Sequence, residues 1–474
     1  MAPKQASIFT VVIPTLNRAD VLYSAIETCV RQDDPALKIL VSDNGSEDDT
    51  AKIVRSFSDS RIHYINPGRQ LGMPEHWEFA LSHVDPGFVT VLGDDDGLLP
   101  DAIGQARRLL KTHNVQAVAW RKAEYHWPDH IVLSYRNWLQ IPLRGGSELR
   151  ESAAVLSEVL GFKRTYTALP CIYNSFVATE VLDAVRSRSG GRLFPCITPD
   201  AYSGIAIACV IDHYAFSHMP LSVNAASRHS NGTSTTHLGT EIDSTRRHYT
   251  SSATPLHPWF VRCASVPVLI AEAALTARAY LTPSHGWPEL DWTAMFELAA
   301  RYAEYRSPVV FADTLNALDE IAQRADQITA WRRIRAGVLC CDPPALPPPG
   351  VDAAGDSLVV DGAALGLRTV ADASSFVGTA LYLLGQQRRG ERLRVHQVAA
   401  CLAPGLDARL KKIWESNLLQ LNDRPNINVL YDSSPTKMGI WYKLRARLRI
   451  RFRMRRAWRR LRAGLGMGPH VSSP

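Results

Sequence analysis

The sequence has no Cys-x-x-Cys pair. Its eight cysteines, at positions 29, 171, 196, 209, 263, 340, 341 and 401, are scattered and mostly stand in apolar surroundings, where a thiol packs as a small hydrophobe. Reduced thiols and a cytoplasmic setting are therefore expected. Long hydrophobic runs are missing too. The opening "MAPKQASIFTVVIPTLNR" has only a few apolar residues before Pro14, too few for a signal-peptide core, so secretion is not expected. The longest apolar stretch, residues 264–281, is interrupted by Pro267, Glu272 and Arg278, which a lipid-spanning helix rarely carries. No transmembrane segment is expected.

What is present is an ordinary globular balance, 46% apolar and 21% charged over 474 residues. That length exceeds what one hydrophobic core usually organises, so two or three domains are expected. Charge is unevenly placed. Residues 443–462 hold eleven Lys and Arg and no acid, more than the formal net charge of +7 of the whole chain. The basic character belongs to the tail.

From residue 8 the pattern alternates between strand and helix. "IFTVVI" is a continuous apolar run suited to a strand buried on both faces, and in "ADVLYSAIETCVRQ" Val21, Ala25, Ile26 and Cys29 share one helical stripe. "LKILVS", "RIHYI" and "FVTVLG" continue the strands; "DNGSEDDTAKIVRSF", "MPEHWEFALSHV" and "PDAIGQARRLLKTH" continue the helices. Such alternation implies an α/β fold with a mostly parallel, doubly wound sheet. Ligands of such sheets gather beyond the carboxyl ends of the strands. There the sequence sets Pro14 to Arg18, Asp43 to Ser46, Asn66 to Arg69, and the contiguous Asp94, Asp95 and Asp96. Three adjacent carboxylates repel one another unless a cation or water screens them, so the triplet is either a metal seat or a solvated acidic turn at a helix N-terminus.

In this order and spacing, "VVIPTLNR", "VSDNGSEDDT" and "GDDDGLLPDAI" resemble the nucleotide-sugar-binding half of family 2 inverting glycosyltransferases, over about residues 8–235. The resemblance implies a GT-A fold, a nucleotide-sugar donor and a divalent cation, Mn²⁺ or Mg²⁺, to neutralise the leaving diphosphate. It places Asp95 on the principal metal ligand and Asp96 beside it, with Asp94 reaching the ribose or sugar. Gly93 stands where the family pattern has a first Asp. It gives Asp43 the imino N–H of a pyrimidine base, favouring a UDP or dTDP donor; the other reading of Asp43 is an Asx-turn or helix cap. Thr15 and Asn17 would meet the nucleoside, and Arg18 and Arg69 the phosphates, unless these arginines are merely solvated. His76 replaces a common Asn and reads as a buried, satisfied histidine. The catalytic base matches Asp200, 105 residues beyond Asp95, after Pro199 and at the start of an apolar helix. Its alternative is a helix cap, with Asp212 in reserve. His229 matches a histidine that completes the metal shell. Trp138 and Tyr173 are acceptor candidates.

Residues 255–335 read as helices. "DPPALPPPG" at 342–350 has five prolines in nine residues and marks a boundary. The expected domains are thus a GT-A domain at 1–240, a helical accessory region at 241–341, a linker at 342–355, a small α/β domain at 356–440 and a basic amphipathic tail at 441–474. Within the tail, residues 443–465 suit an anionic membrane surface; nucleic acid is not the expected partner. The resulting expectation is a metal-dependent glycosyltransferase, cytoplasmic and peripheral at the inner face of the plasma membrane. It moves a sugar to a hydroxyl of a cell-surface glycan or lipid-linked saccharide. Two alternatives are a GT-A-like scaffold binding membrane or nucleic acid through its tail, and a sugar nucleotidyltransferase. The latter normally needs a Gly-rich phosphate loop where "PTLNR" stands.

Overall fold

A computed structural model describes residues 7–238, 252–343, 346–351 and 356–388. Its centre is an eight-stranded sheet in the order β3 (Ile62–Ile65), β2 (Leu37–Asp43), β1 (Ile8–Thr15), β4 (Gly87–Val91), β10 (Ser175–Ala178), β6 (Ala117–Trp120), β11 (His213–Ser217) and β9 (Ser147–Glu151). Neighbours from β3 to β4 are parallel, as are β6 and β11; β10 and β9 run antiparallel to their neighbours. The expected doubly wound sheet is present, with β10 inserted in its middle.

The apolar run of β1 explains its central place. Val11 and Ile13 face a layer containing Leu22 and Ile26 of helix Ala19–Val30 and Ile103 and Leu110 of helix Ala102–His113. Val12 faces the opposite layer, with Trp77 and Ala80 of helix Met73–Leu81 and Tyr202 and Ile205 of helix Pro199–Ala208. A strand apolar at most positions on both faces can satisfy both layers. In register, Thr15 lies opposite Asp43 and Val12 opposite Val91. The strand ends carrying Thr15, Asp43 and the 94–96 triplet therefore share one rim.

A second, six-stranded sheet runs β13 (Gly350–Val351), β14 (Ser357–Asp361), β8 (Trp138–Pro142), β7 (Ala123–His126), β12 (Ser222–Ala226) and β5 (Gly97–Leu98). Here the chain differs from the expected domain plan. β14 pairs antiparallel with β8, Val360 opposite Leu139, and residues up to Leu381 fall in the same compact unit as the first sheet. Helix Val370–Arg388 begins against the turn after the aspartates: the Ser374 hydroxyl donates to the Leu98 carbonyl at 2.5 Å. The segment after the proline run thus completes the N-terminal body. The expected strands and helix between 391 and 432, and the basic tail, lie outside the described residues.

The region after 255 is helical: Val266–Tyr280, Trp292–Glu304, Pro308–Arg324 and Ile328–Arg335. Asp291 and Ser307 cap two of these by accepting the Ala294 and Val310 N–H groups. Asp326, with φ +55°, separates the last two, where the sequence pattern runs on as one helix. Among the described residues no helix is long and apolar enough to cross a membrane.

Candidate active site

Asp94, Asp95 and Asp96 are not a solvated turn. All three are buried, at 2%, 5% and 2% exposure, and each has different partners. Asp94 Oδ1 accepts Arg18 Nη1 at 2.7 Å. Asp95 Oδ2 accepts both the N–H and the hydroxyl of Ser227, at 3.0 and 2.7 Å, while its carbonyl takes the Trp127 indole N–H at 3.1 Å. Asp96 is surrounded by donors. Oδ1 accepts the Ala225 N–H at 2.6 Å and Asn224 Nδ2 at 3.1 Å; Oδ2 accepts the Gly93 N–H at 3.3 Å, and the Tyr173 hydroxyl also donates to this carboxylate. Burial, and then Asp95, raise the Asp96 carboxyl to about 6, against the pull of Lys122. Burial likewise raises Asp94, opposed by Arg18 and reinforced by Asp95.

Gly93 has a physical reason. A Cβ there would run into the Tyr173 hydroxyl and come within 2.8 Å of Asp96 Oδ2. The space of the expected first carboxylate is filled by Tyr173, whose ring stacks on Trp77.

Arg18 is half-buried rather than free in solvent. Its guanidinium spans Asp94 and the His229 carbonyl, each at 2.7 Å. Burial alone would lower its pKa; Asp94 and Asp95 outweigh that and hold it above the ordinary range. The loop carrying His229 is fastened from several sides. His229 Nε2 lies 3.0 Å from Asp20 Oδ2, and Arg228 Nη2 donates to the same carboxylate at 2.8 Å. The imidazole is thus engaged with Asp20, and it is the His229 backbone that meets Arg18. Among the described residues no three His, Cys, Asp or Glu side chains stand together in a metal-holding arrangement. The expected trio of Asp95, Asp96 and His229 is not assembled, because backbone and amide donors take Asp96 and Asp20 takes His229.

Asp43, buried at the end of β2, accepts the Ser46 N–H at 2.8 Å and the Tyr64 hydroxyl at 2.6 Å. The first of these is a local side-chain-to-backbone bond to the residue three positions on. Thr15 is buried near Asp94. Asn17 is exposed at φ +55°, its side chain accepting the Glu47 N–H at 2.7 Å. Arg69 is exposed on the loop after β3. His76 is buried, with Nε2 2.9 Å from the Ser42 hydroxyl.

Asp200 occupies the first turn of helix Pro199–Ala208, and its Oδ2 accepts the Tyr166 hydroxyl at 2.6 Å. Its carbonyl takes the Cys171 thiol at 3.1 Å. The segment 171–173 therefore links the two acidic centres, Cys171 touching Asp200 and Tyr173 touching Asp96. Lys122, Nζ 5.0 Å from the Tyr173 ring centroid, lies in the same space and acts electrostatically on both Asp96 and Cys171. Trp138 packs its ring on His126, on the second sheet. Lys122, Tyr166, Asn224 and Ser227 were not expected at the site; of these only Lys122 carries a signal, as the second of two cations that follow a buried strand.

The polar loops and the buried carboxylate triplet thus lie beyond the carboxyl ends of the strands, where open α/β sheets gather their ligands. Residues 10–158 match the sequence family described as Glycosyl transferase family 2. Over 97 residues the protein is 38% identical to the GalNAc(5)-diNAcBac-PP-undecaprenol beta-1,3-glucosyltransferase of Campylobacter jejuni, covering 20% of this chain. The chain spans 31% of the length of that curated relative. Among solved structures, S. aureus TarS 1-349 in complex with UDP-GlcNAc is similar at TM-score 0.41 and 14% identity, over 69% of this chain and 90% of the other. Mannosyltransferase PcManGT from Pyrobaculum calidifontis, in complex with GDP-Man and Mn²⁺, is similar at TM-score 0.35 and 17% identity, over 69% and 88%.

Proposed function

We propose that this protein is a metal-dependent, inverting glycosyltransferase that moves a sugar from a pyrimidine nucleoside diphosphate, UDP or dTDP, to a hydroxyl of a glycan acceptor. The observation that carries the reading is the pairing of two acidic centres through residues 171–173: a buried triplet at the strand ends and Asp200 on a facing helix. Inverting transfer needs such a pair, one to seat the donor's diphosphate and one to take the acceptor proton from the opposite side.

The donor atoms suit Mn²⁺ or Mg²⁺, which bind hard oxygens and commonly use one or two carboxylates completed by phosphate and water. Both hydrogen bonds from Ser227 fall on Asp95 Oδ2, so Asp95 Oδ1 is the oxygen that would hold the cation. When bound, the ion would offset charge developing on the diphosphate. Asp96, held by the Gly93 and Ala225 N–H groups and Asn224, would fix the turn that carries Asp95, and His229 secures the loop. Asp43 and Thr15 would face the nucleoside, with Asn17 and Asp94 beside the ribose; Arg18 and Arg69 would meet phosphate. Asp200 would accept the acceptor's proton, held in place by the Tyr166 hydroxyl. A lipid-linked saccharide acceptor is supported by the undecaprenol-linked saccharide in the name of the Campylobacter relative. Such an acceptor implies work at a membrane surface, approached through residues 443–465, which lie outside the described residues.

The test is calorimetric titration of UDP, dTDP and GDP, each with and without Mn²⁺, into the wild type and Asp95→Ala. Metal-dependent binding of a pyrimidine diphosphate, lost in the variant, is expected. Binding indifferent to both metal and mutation would sink the reading.

A further inference from the structure

The three aspartates are buried together, yet only one fixed cation is ion-paired with them among the described residues, the guanidinium of Arg18 on Asp94. We propose that Arg18 is the resident counter-cation of the triplet, weakening the hold on a lone divalent ion so that the metal is taken up tightly only together with a diphosphate. The inference rests on the donor-site reading above and adds an order of binding to it.

The geometry supports it in two ways. First, Arg18 is held where it stands. Nη1 donates to Asp94 and Nη2 to the His229 carbonyl, both at 2.7 Å. The loop supplying that carbonyl is fixed to Asp95 through Ser227 and to Asp20 through Arg228 and His229. A metal ion arriving alone at Asp95 would meet this held positive charge at close range, in a buried setting where repulsion is poorly screened. Second, the guanidinium is also the group best matched to the ligand that would accompany the metal. Its planar fork offers paired donors to phosphate oxygens. A diphosphate supplies oxygen ligands to the ion and an anionic partner to the guanidinium, so the repulsion between Arg18 and the ion is offset when both arrive together. Arg18 can then trade the His229 carbonyl for a phosphate oxygen while still neutralising Asp94.

The experiment is a Mn²⁺ titration of the full chain followed by the electron paramagnetic resonance signal of free Mn²⁺. It compares wild type, Arg18→Gln and Arg18→Lys, with and without UDP, after subtracting the metal bound by UDP itself. Without nucleotide, Arg18→Gln should bind Mn²⁺ at least tenfold more tightly than wild type, whereas Arg18→Lys, which keeps the charge, should stay within about threefold of wild type. Adding UDP should tighten Mn²⁺ binding to wild type at least tenfold. A folded Arg18→Gln protein, judged by circular dichroism, with unchanged or weaker Mn²⁺ affinity would overturn the proposal. If that variant does not fold, the wild type still decides: equal Mn²⁺ affinity with and without UDP overturns it. Wild type that binds Mn²⁺ under neither condition removes the metal-dependent donor site itself, and this inference with it.

Discussion

The hydroxyl of Tyr173 occupies the space into which any side chain on Gly93 would project. A methyl group there must displace either the phenol or the Asp96 carboxylate it bonds. Gly93→Ala is therefore expected to destabilise the protein by about 1–3 kcal/mol, the usual cost of overpacking. Tyr173→Phe, which removes the obstructing oxygen, should recover part of that loss when combined with it. Urea unfolding of the two single variants and the double variant checks this; strictly additive losses would show that the two groups do not compete for space.

Asp94 and Arg18 form a pair whose carboxylate side chain is 3% exposed and whose guanidinium is 18% exposed. Removing one partner of a buried pair strands the other charge, which typically costs 3–5 kcal/mol. Asp94→Ala should lose stability on about that scale, whereas Asp101→Ala, which breaks the exposed pair with Arg108, should change it by less than about 1 kcal/mol. Chemical denaturation of both variants side by side is the measurement.

His76 gives a pH dependence. Burial pushes its imidazole from 6.5 down to about 4, against the pull of Asp43. Below pH 6.5 an unfolded chain protonates this histidine while the folded protein refuses the proton. Stability is therefore unaffected above that pH, declines as the pH falls from 6.5 toward 4, and levels off below. The loss at pH 5 is about 2 kcal/mol. His76→Gln retains a polar partner for Ser42 and lacks the titration. Between pH 7.5 and pH 5, the wild type should lose about 2 kcal/mol more than the variant in urea unfolding; equal losses would contradict a neutral, buried ring.

Gly378 lies against Pro100, so closely that a Cβ would fall 2.7 Å from the proline ring. Gly378→Val should push its helix off the turn that follows the aspartates. Both the melting temperature and nucleotide affinity are expected to fall, the latter without any change in a residue placed at the donor site. Differential scanning calorimetry and UDP titration together test this.

Much of the N-terminal half is legible in the linear pattern because its signals are local. "IFTVVI" and "LKILVS" are apolar at nearly every position, as strands covered on both faces require, and contiguous Asp94, Asp95 and Asp96 mark a strand end without any knowledge of their neighbours. The partners of those aspartates are a different matter. Ser227 reaches Asp95 only because β12 pairs with β5, Leu98 opposite Ser222, a register between segments more than a hundred residues apart. The same pairing brings Asn224 and the Ala225 N–H to Asp96, which turns an expected metal ligand into a brace. β14 is legible as a strand, but its partner β8 lies more than two hundred residues earlier, so the proline run between them looks like a domain boundary. His229 illustrates the limit: its loop is the expected one, while the direction of its ring depends on Asp20.

The contact between Ser374 and Leu98 has a consequence for how the protein is made. The turn behind the aspartate triplet is closed by a residue that leaves the ribosome some 275 positions later. The last strand of the first sheet ends at Ser217, so at the usual 5–20 residues per second of synthesis a nascent chain would spend on the order of 8–31 s with that sheet complete and the turn uncovered. Donor-binding competence should therefore emerge late in translation, and a messenger truncated before codon 370 should yield a chain that folds its Rossmann-like half and bonds its aspartates yet leaves the turn at Leu98 to Pro100 behind them uncovered.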